Sequence, residues 1–232
     1  DGADGADGPA GASGPTGPAG LADVDSDLNL NEQFSVAKHA SFTTDISVNS
    51  LTIGKGSSNV VTNTAVGTRA LYSNTTGGNN IATGYQSLHN NTEGELNTAI
   101  GSNALTKNTT GKHNSATGYA ALYLNTTGNY NTANGTTALQ ANTTGNYNTA
   151  TGYQSLNKNT TSSSNTATGF ATLYYNTGDN NTAIGYYAFR LNTMGNYNTA
   201  TGYQSLYRNT MGKKNSATGY QAGMNNTTAD NN

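Results

Sequence analysis

The three histidines, His39, His89 and His113, are the side chains whose ordinary pKa lies nearest neutrality, so acid–base chemistry would begin with them. None has a carboxylate or nucleophile recurring beside it, and no G-x-S-x-G element presents a serine; they read as isolated surface residues. Glycoside hydrolysis needs two facing carboxylates, and the 12 Asp and Glu supply no recurring pair. Glycine-rich stretches abound, yet none leads into the G-K-[S/T] of a phosphate loop. Asp23, Asp25 and Asp27 begin like a D-x-D-x-D calcium loop. Leu28 then stands where the turn needs glycine and Phe34 where a bidentate glutamate should close the shell, which leaves a solvated acidic turn as the alternative. We therefore expect no catalytic residue, no cofactor, no metal ligand and no enzyme.

The groups that do recur are aromatic, hydroxyl and amide. Tyr85, Tyr119, Tyr153, Phe170, Tyr186, Tyr203 and Tyr220 each follow a glycine directly. Stacked aromatic faces suit sugar rings and apolar partners, which makes the six tyrosines candidate glycan contacts; the same column also suits rings that stack on each other over a thin core. Thr149/Thr151, Thr166/Thr168 and Thr199/Thr201 flank an alanine, so on a strand both hydroxyls face outward. A flat ladder of that kind could order water as an ice-binding surface does, although Val66, Ile100, Asn134 and Ile184 interrupt one column. Asn74, Asn108, Asn125, Asn142 and Asn159 each begin N-T-T, which is a formal glycosylation signal and equally a turn-forming sequence.

These groups are positioned by a register of glycines: Gly67, Gly84, Gly101, Gly118, Gly135, Gly152, Gly169, Gly185, Gly202 and Gly219. Every step is 17 residues except Gly169 to Gly185, which is 16 because N-T-G replaces N-T-T-G. A fixed short period marks one structural unit stacked on its neighbours. The unit is N-T-A-x-G-Y-x-A/S-L-x-x-N-T-T-G-x-x. We expect extended stretches at N-T-A-x-G and Y-x-A/S-L, with a turn at N-T-T-G. Alanine stands two residues before every register glycine, which implies a narrow interior. Leucine stands four residues after it (Phe189 once, and Gly223 at the C-terminal coil), which implies an apolar spine. The glycine itself suits a bend or a close backbone approach. One buried leucine contributes roughly 1.5–3 kcal/mol, while ordering 17 residues costs on the order of 20–30 kcal/mol. Single units cannot stand alone, and we expect stability from coil stacking and from burial between chains.

Composition agrees with a repeat rather than a globule: of 232 residues 33% are hydrophobic and 9% charged, with 29 Gly and 15 Tyr. Residues 1–61 carry eight acids and two lysines, and residues 62–232 carry eight bases and four acids. That weak positive charge, spread over a long array, argues against nucleic acid. There is no cysteine, hence no disulfide or thiolate site, and no apolar run long enough to span a membrane. The chain begins at Asp1 inside a repeat, so an upstream region is expected. Gly2, Gly5, Gly8, Gly11, Gly14, Gly17 and Gly20 form Gly-X-Y triplets, with Pro9, Pro15 and Pro18 all at X. Only glycine fits at the axis of a collagen triple helix, so the triplets imply three chains; thin coils with one leucine each argue the same way. Between them, Leu28/Leu30, Phe34/Val36, Ile46/Val48 and Leu51/Ile53 alternate with polar residues as half-buried strands do, with turns at Asn49-Ser50 and Gly54 to Gly56.

The N-T-A-x-G units, such as Asn97-Thr98-Ala99-Ile100-Gly101 and Asn181-Thr182-Ala183-Ile184-Gly185, resemble the head repeats of trimeric autotransporter adhesins, whose coils are shorter. Together with the collagen-like start and the DISVNSLTIGKG stretch at residues 45–56, the chain resembles more closely the fibre proteins of tailed phages and large algal viruses. The resemblance implies a virion fibre or adhesin. The expected fold is all-β: a parallel β-solenoid or β-roll of about ten 17-residue coils (62–223), homotrimeric, after a collagen-like stem (1–22) and a β-rich joining segment (23–61). Residues 224–232 form a polar tail or the start of a further repeat. The expected role is a structural rod on a virion or in the extracellular space that presents a host receptor- or glycan-binding surface. A bacterial trimeric adhesin and an ice-binding solenoid are the alternatives, without nucleic-acid binding or membrane insertion.

Overall fold

The computed structural model describes residues 46–48, 51–58 and 60–232. The collagen-like triplets, the acidic run from Asp23 to Asp27, His39 and the first strands expected in the joining segment lie outside the described residues. Twelve strands form one sheet in sequence order: β1 (Ile46–Val48), β2 (Leu51–Gly54), β3 (Thr64–Val66), β4 (Ile81–Thr83), β5 (Thr98–Ile100), β6 (Ser115–Thr117), β7 (Thr132–Asn134), β8 (Thr149–Thr151), β9 (Thr166–Thr168), β10 (Thr182–Ile184), β11 (Thr199–Thr201) and β12 (Ser216–Thr218). From β3 to β12 the pairing is parallel and in register, alanine opposite alanine at every step. Ten parallel strands delimit about nine turns of a β-solenoid, and among the described residues there is no helix. At about 4.8 Å per strand the stack is roughly 43 Å long. At its N-terminal end β1 and β2 form a hairpin, with Val48 opposite Leu51, and β2 closes antiparallel on β3.

The sequence columns become walls of this stack. Alanines from Ala65 to Ala200 and the spine from Leu71 to Leu206, with Phe189, are buried. A single chain therefore encloses its own leucines, and the expectation that thin coils need neighbouring chains to cover the spine loses its basis. Much of the rest of the interior is amide. Asn97, wholly buried, donates from its backbone N–H to Asn80 Oδ1 (3.0 Å) and from Nδ2 to Gly111 O (2.8 Å). Asn108 Nδ2 donates to Asn91 Oδ1 and to Gly111 O (2.8 and 2.9 Å). Both patterns recur coil after coil, giving two asparagine ladders that satisfy the buried amides completely, as burial demands.

The stretch Y-x-A/S-L, expected to be extended, is instead two successive tight turns. Ala138 N–H returns to Gly135 O (3.2 Å) and Asn142 N–H to Leu139 O (3.2 Å). The residues two and four after the register glycine are left-handed, as at Thr137 (φ 53°) and Leu139 (φ 50°), and so is the residue twelve after it, as at Tyr147 (φ 57°). Such backbone costs roughly 1–2 kcal/mol per non-glycine residue. It is held by main-chain ladders that run around the coil, such as Leu139 N–H to Ser155 O and Tyr147 N–H to Asn129 O. The register glycine itself meets the expected close approach: a Cβ on Gly135 (φ 138°) would lie 2.6 Å from Gly152 O. Residues 224–232 continue the ladder, with Thr210 N–H on Thr227 O and Ser216 N–H on Asn232 O.

Candidate functional site

The outward columns carry what chemistry the stack presents. After each register glycine the chain enters a tight turn, which tips the next side chain off the solenoid and leaves Tyr85, Tyr119, Tyr153, Tyr186, Tyr203 and Tyr220 exposed. The structure divides this set. Tyr153, Phe170, Tyr186, Tyr203 and Tyr220 form one continuous pile, with centroids 5.1, 5.0, 5.6 and 5.2 Å apart and interplanar angles of 6–21°. Tyr85 and Tyr119 stand outside it, because Ser102 and Thr136 occupy the coils between. Offset spacing near 5 Å is a favourable aromatic geometry, and it matches the coil rise, so the pile follows from the stacking itself. Its rings are both self-stacked and exposed.

A second aromatic column lies twelve residues after the register glycine. His113 stacks on Tyr130 (4.7 Å) and Tyr130 on Tyr147 (5.0 Å). His89 stacks on Tyr72 (5.2 Å). These two histidines are thus members of ring stacks, not isolated residues. The signal was present in the 17-residue spacing of His113, Tyr130 and Tyr147, but that column is broken by Leu96 and Ser164. A third feature shares the Tyr72–His89 column, five residues after the register glycine, through Tyr174 and Arg190: the Arg190 guanidinium sits over Tyr187, Tyr174 and Tyr175 at 4.8, 5.1 and 5.8 Å. Each such cation–π contact is worth about 0.5–1 kcal/mol at an exposed site. Tyr186 is held above its ordinary pKa of 10.0, chiefly by a side-chain hydrogen bond with Tyr187, with weaker contributions from desolvation and from the Tyr187 and Tyr203 phenols; Arg190 opposes them.

On the sheet face the alanines point inward and their neighbours outward, so Thr149/Thr151, Thr166/Thr168 and Thr199/Thr201 stand in adjacent or nearby coils of one face. The five N-T-T asparagines behave differently. All are buried, and their Nδ2 groups are spent in the ladder, Asn125 on Asn108 Oδ1 and Gly128 O for example. A glycan on any of them would replace one of the two Nδ2 hydrogens and so break one of those two bonds. No cluster of three or more His, Asp or Glu gathers among the described residues, and they contain no helix long and apolar enough to cross a membrane. No protein-family model, curated protein or solved structure matches the chain.

Proposed function

We propose that this chain is the rod of a homotrimeric surface fibre, an adhesin carried on a virion or in the extracellular space, that holds a host-binding surface away from the particle. The observation that supports the reading is the exposed five-ring pile from Tyr153 to Tyr220 on a stack whose interior repeats with so little variation. A rod of like coils converts one weak contact into many, and three chains would triple it. The Gly-X-Y triplets supply the threefold symmetry in this reading. A bacterial trimeric adhesin would use the same architecture. Solution mass together with images of the particle tests the proposal: a thin trimeric particle supports it, and a globular monomer removes it.

The outward threonine pairs favour a second reading, ice binding, on the sheet face. Thermal hysteresis above that of buffer would support this, and hysteresis equal to buffer would end it.

A further inference from the structure

The one-residue deletion between Gly169 and Gly185 does more than shorten a turn. Elsewhere the threonine eight residues after the register glycine donates its hydroxyl to the main-chain oxygen of the equivalent threonine in the next coil. Thr75, Thr92, Thr109, Thr126, Thr143, Thr193 and Thr210 all do so, at 2.9–3.1 Å. The main-chain N–H groups of this turn join the same oxygen, as Thr109, Thr110 and Gly111 do on Thr126 O. Thr160 and Thr177 make neither bond to the coil that follows. Two consecutive rungs are therefore open, and the Thr177 hydroxyl and N–H are released at the surface.

Beside the open rungs the wall of the solenoid is indented. A groove of about 560 Å³ is lined by Lys158, Tyr175, Thr177, Leu191, Thr193 and Thr210, a volume in the range of small-molecule sites. Its aromatic wall is pre-set: Tyr175 packs edge-on against Tyr174 (4.6 Å, 74°) and lies under the Arg190 guanidinium (5.8 Å), yet stays 44% exposed. Its charge has one sign. Lys107, Lys158 and Arg208 share the outward column of Tyr175 and Leu191, and no carboxylate stands in that column anywhere along the repeat.

We infer that this groove binds an acidic pyranose, a uronate unit of a surface polysaccharide. The inference deepens the adhesive reading, and rests on it, by giving the ligand class of one site. One face of a pyranose ring is apolar C–H and can lie on Tyr175. Its hydroxyls need the donors and acceptors that the missing rungs release at Thr177. Its carboxylate needs the Lys158 cation, which pairs with no acid among the described residues. A neutral apolar peptide would use Tyr175 and Leu191 but leave the Lys158 charge and the released Thr177 groups unmatched.

The test uses the full chain and a galacturonate tetrasaccharide, with its methyl ester as the uncharged control, titrated by calorimetry. Binding of the acid form is expected, with the ester clearly weaker. Tyr175→Ala should weaken the acid form by about tenfold. Lys158→Gln, an exposed change that leaves the coil intact, should erase the preference for acid over ester. Inserting a threonine between Thr177 and Gly178 restores N-T-T-G, and should abolish binding while keeping the β-sheet circular dichroism. No binding of the acid form, or binding untouched by Lys158→Gln and by the insertion, overturns the inference. Mass and imaging of the same sample judge the fibre separately: a trimeric rod that binds nothing overturns only the groove, and a globular monomer that binds overturns only the fibre.

Discussion

Replacing Asn131 with alanine asks whether the amide ladder, and not the leucine spine alone, holds the coils together. Asn131 is fully buried in the coil that carries β7. Its Nδ2 donates to Gly145 O (2.8 Å) and to Asn114 Oδ1 (3.2 Å), and its Oδ1 accepts from Asn148 N–H (3.0 Å) and Asn148 Nδ2 (3.2 Å). Most of those partners keep a second bond: Gly145 O retains Asn142 Nδ2, Asn148 Nδ2 retains Ser162 O, and Asn114 Oδ1 retains the Asn131 N–H. One group, the Asn148 N–H, is left with nothing. The orphaned buried donor costs about 1–3 kcal/mol and the three other lost amide bonds about 1 kcal/mol each, so Asn131→Ala should destabilise by about 4–6 kcal/mol. Coils couple only to their neighbours, so the damage should centre on that junction. Urea unfolding followed by circular dichroism measures the loss, and amide hydrogen exchange locates it at Asn148. Thr132→Ala, one residue away on the outward face, should change stability by less than about 0.5 kcal/mol. If Asn131→Ala were as mild as Thr132→Ala, with Asn148 still protected, the argument that the amides carry the interior would be refuted.

Two further outcomes follow from the same geometry. Gly135→Ala places a Cβ 2.6 Å from Gly152 O at φ 138°, whereas a Cβ on Gly219 (φ 124°) meets nothing nearer than Ala222 Cβ at 4.0 Å. Both substitutions carry the left-handed penalty of about 1–2 kcal/mol, but only Gly135→Ala must also push two coils apart, so its melting temperature should fall well below that of Gly219→Ala. In an alkaline titration followed by phenolate absorbance, Tyr186 should ionise above its ordinary 10.0, and Tyr187→Phe should bring it back down. The sign follows from the raised value: the fold favours the protonated phenol, so this contribution to stability is full below the ordinary pKa and is lost as pH rises through the folded one. A Tyr186 midpoint unmoved by Tyr187→Phe would remove the hydrogen bond as its cause.

The coil and its columns were legible in the sequence because one period governs them: alanine inward, leucine as spine, glycine where backbones meet. The tight turns at Y-x-A/S-L were not, because leucine and alanine have no left-handed preference of their own, and the ladders impose that backbone from outside the segment. The N-T-T asparagines were legible as turn formers but not as buried ladders, since a short polar side chain serves either role and only the stacking decides. On the exterior, the tyrosine column was visible from its glycine neighbour, but its division into a five-ring pile and two separate rings depends on which coils carry Ser102 and Thr136. The Arg190–Tyr174 contact joins one repeat position in adjacent coils, five residues after the register glycine, but that column also carries Thr106, Gln140 and Asn157, so its mixed residues hid it, and Tyr175 and Tyr187 come from other columns.

The central claim is that each 17-residue unit is one coil stacked in parallel register on the last. The chain has no cysteine, so pairs of spin labels can be placed cleanly on the outward threonines through Thr64→Cys, Thr132→Cys and Thr199→Cys. Label-to-label distances, measured in samples diluted with unlabelled chain, should grow in proportion to the number of coils between them. At about 4.8 Å per coil, Thr132 to Thr199 should measure about 19 Å and Thr64 to Thr199 about 38 Å. Distances that do not scale with coil number would contradict the stacked solenoid.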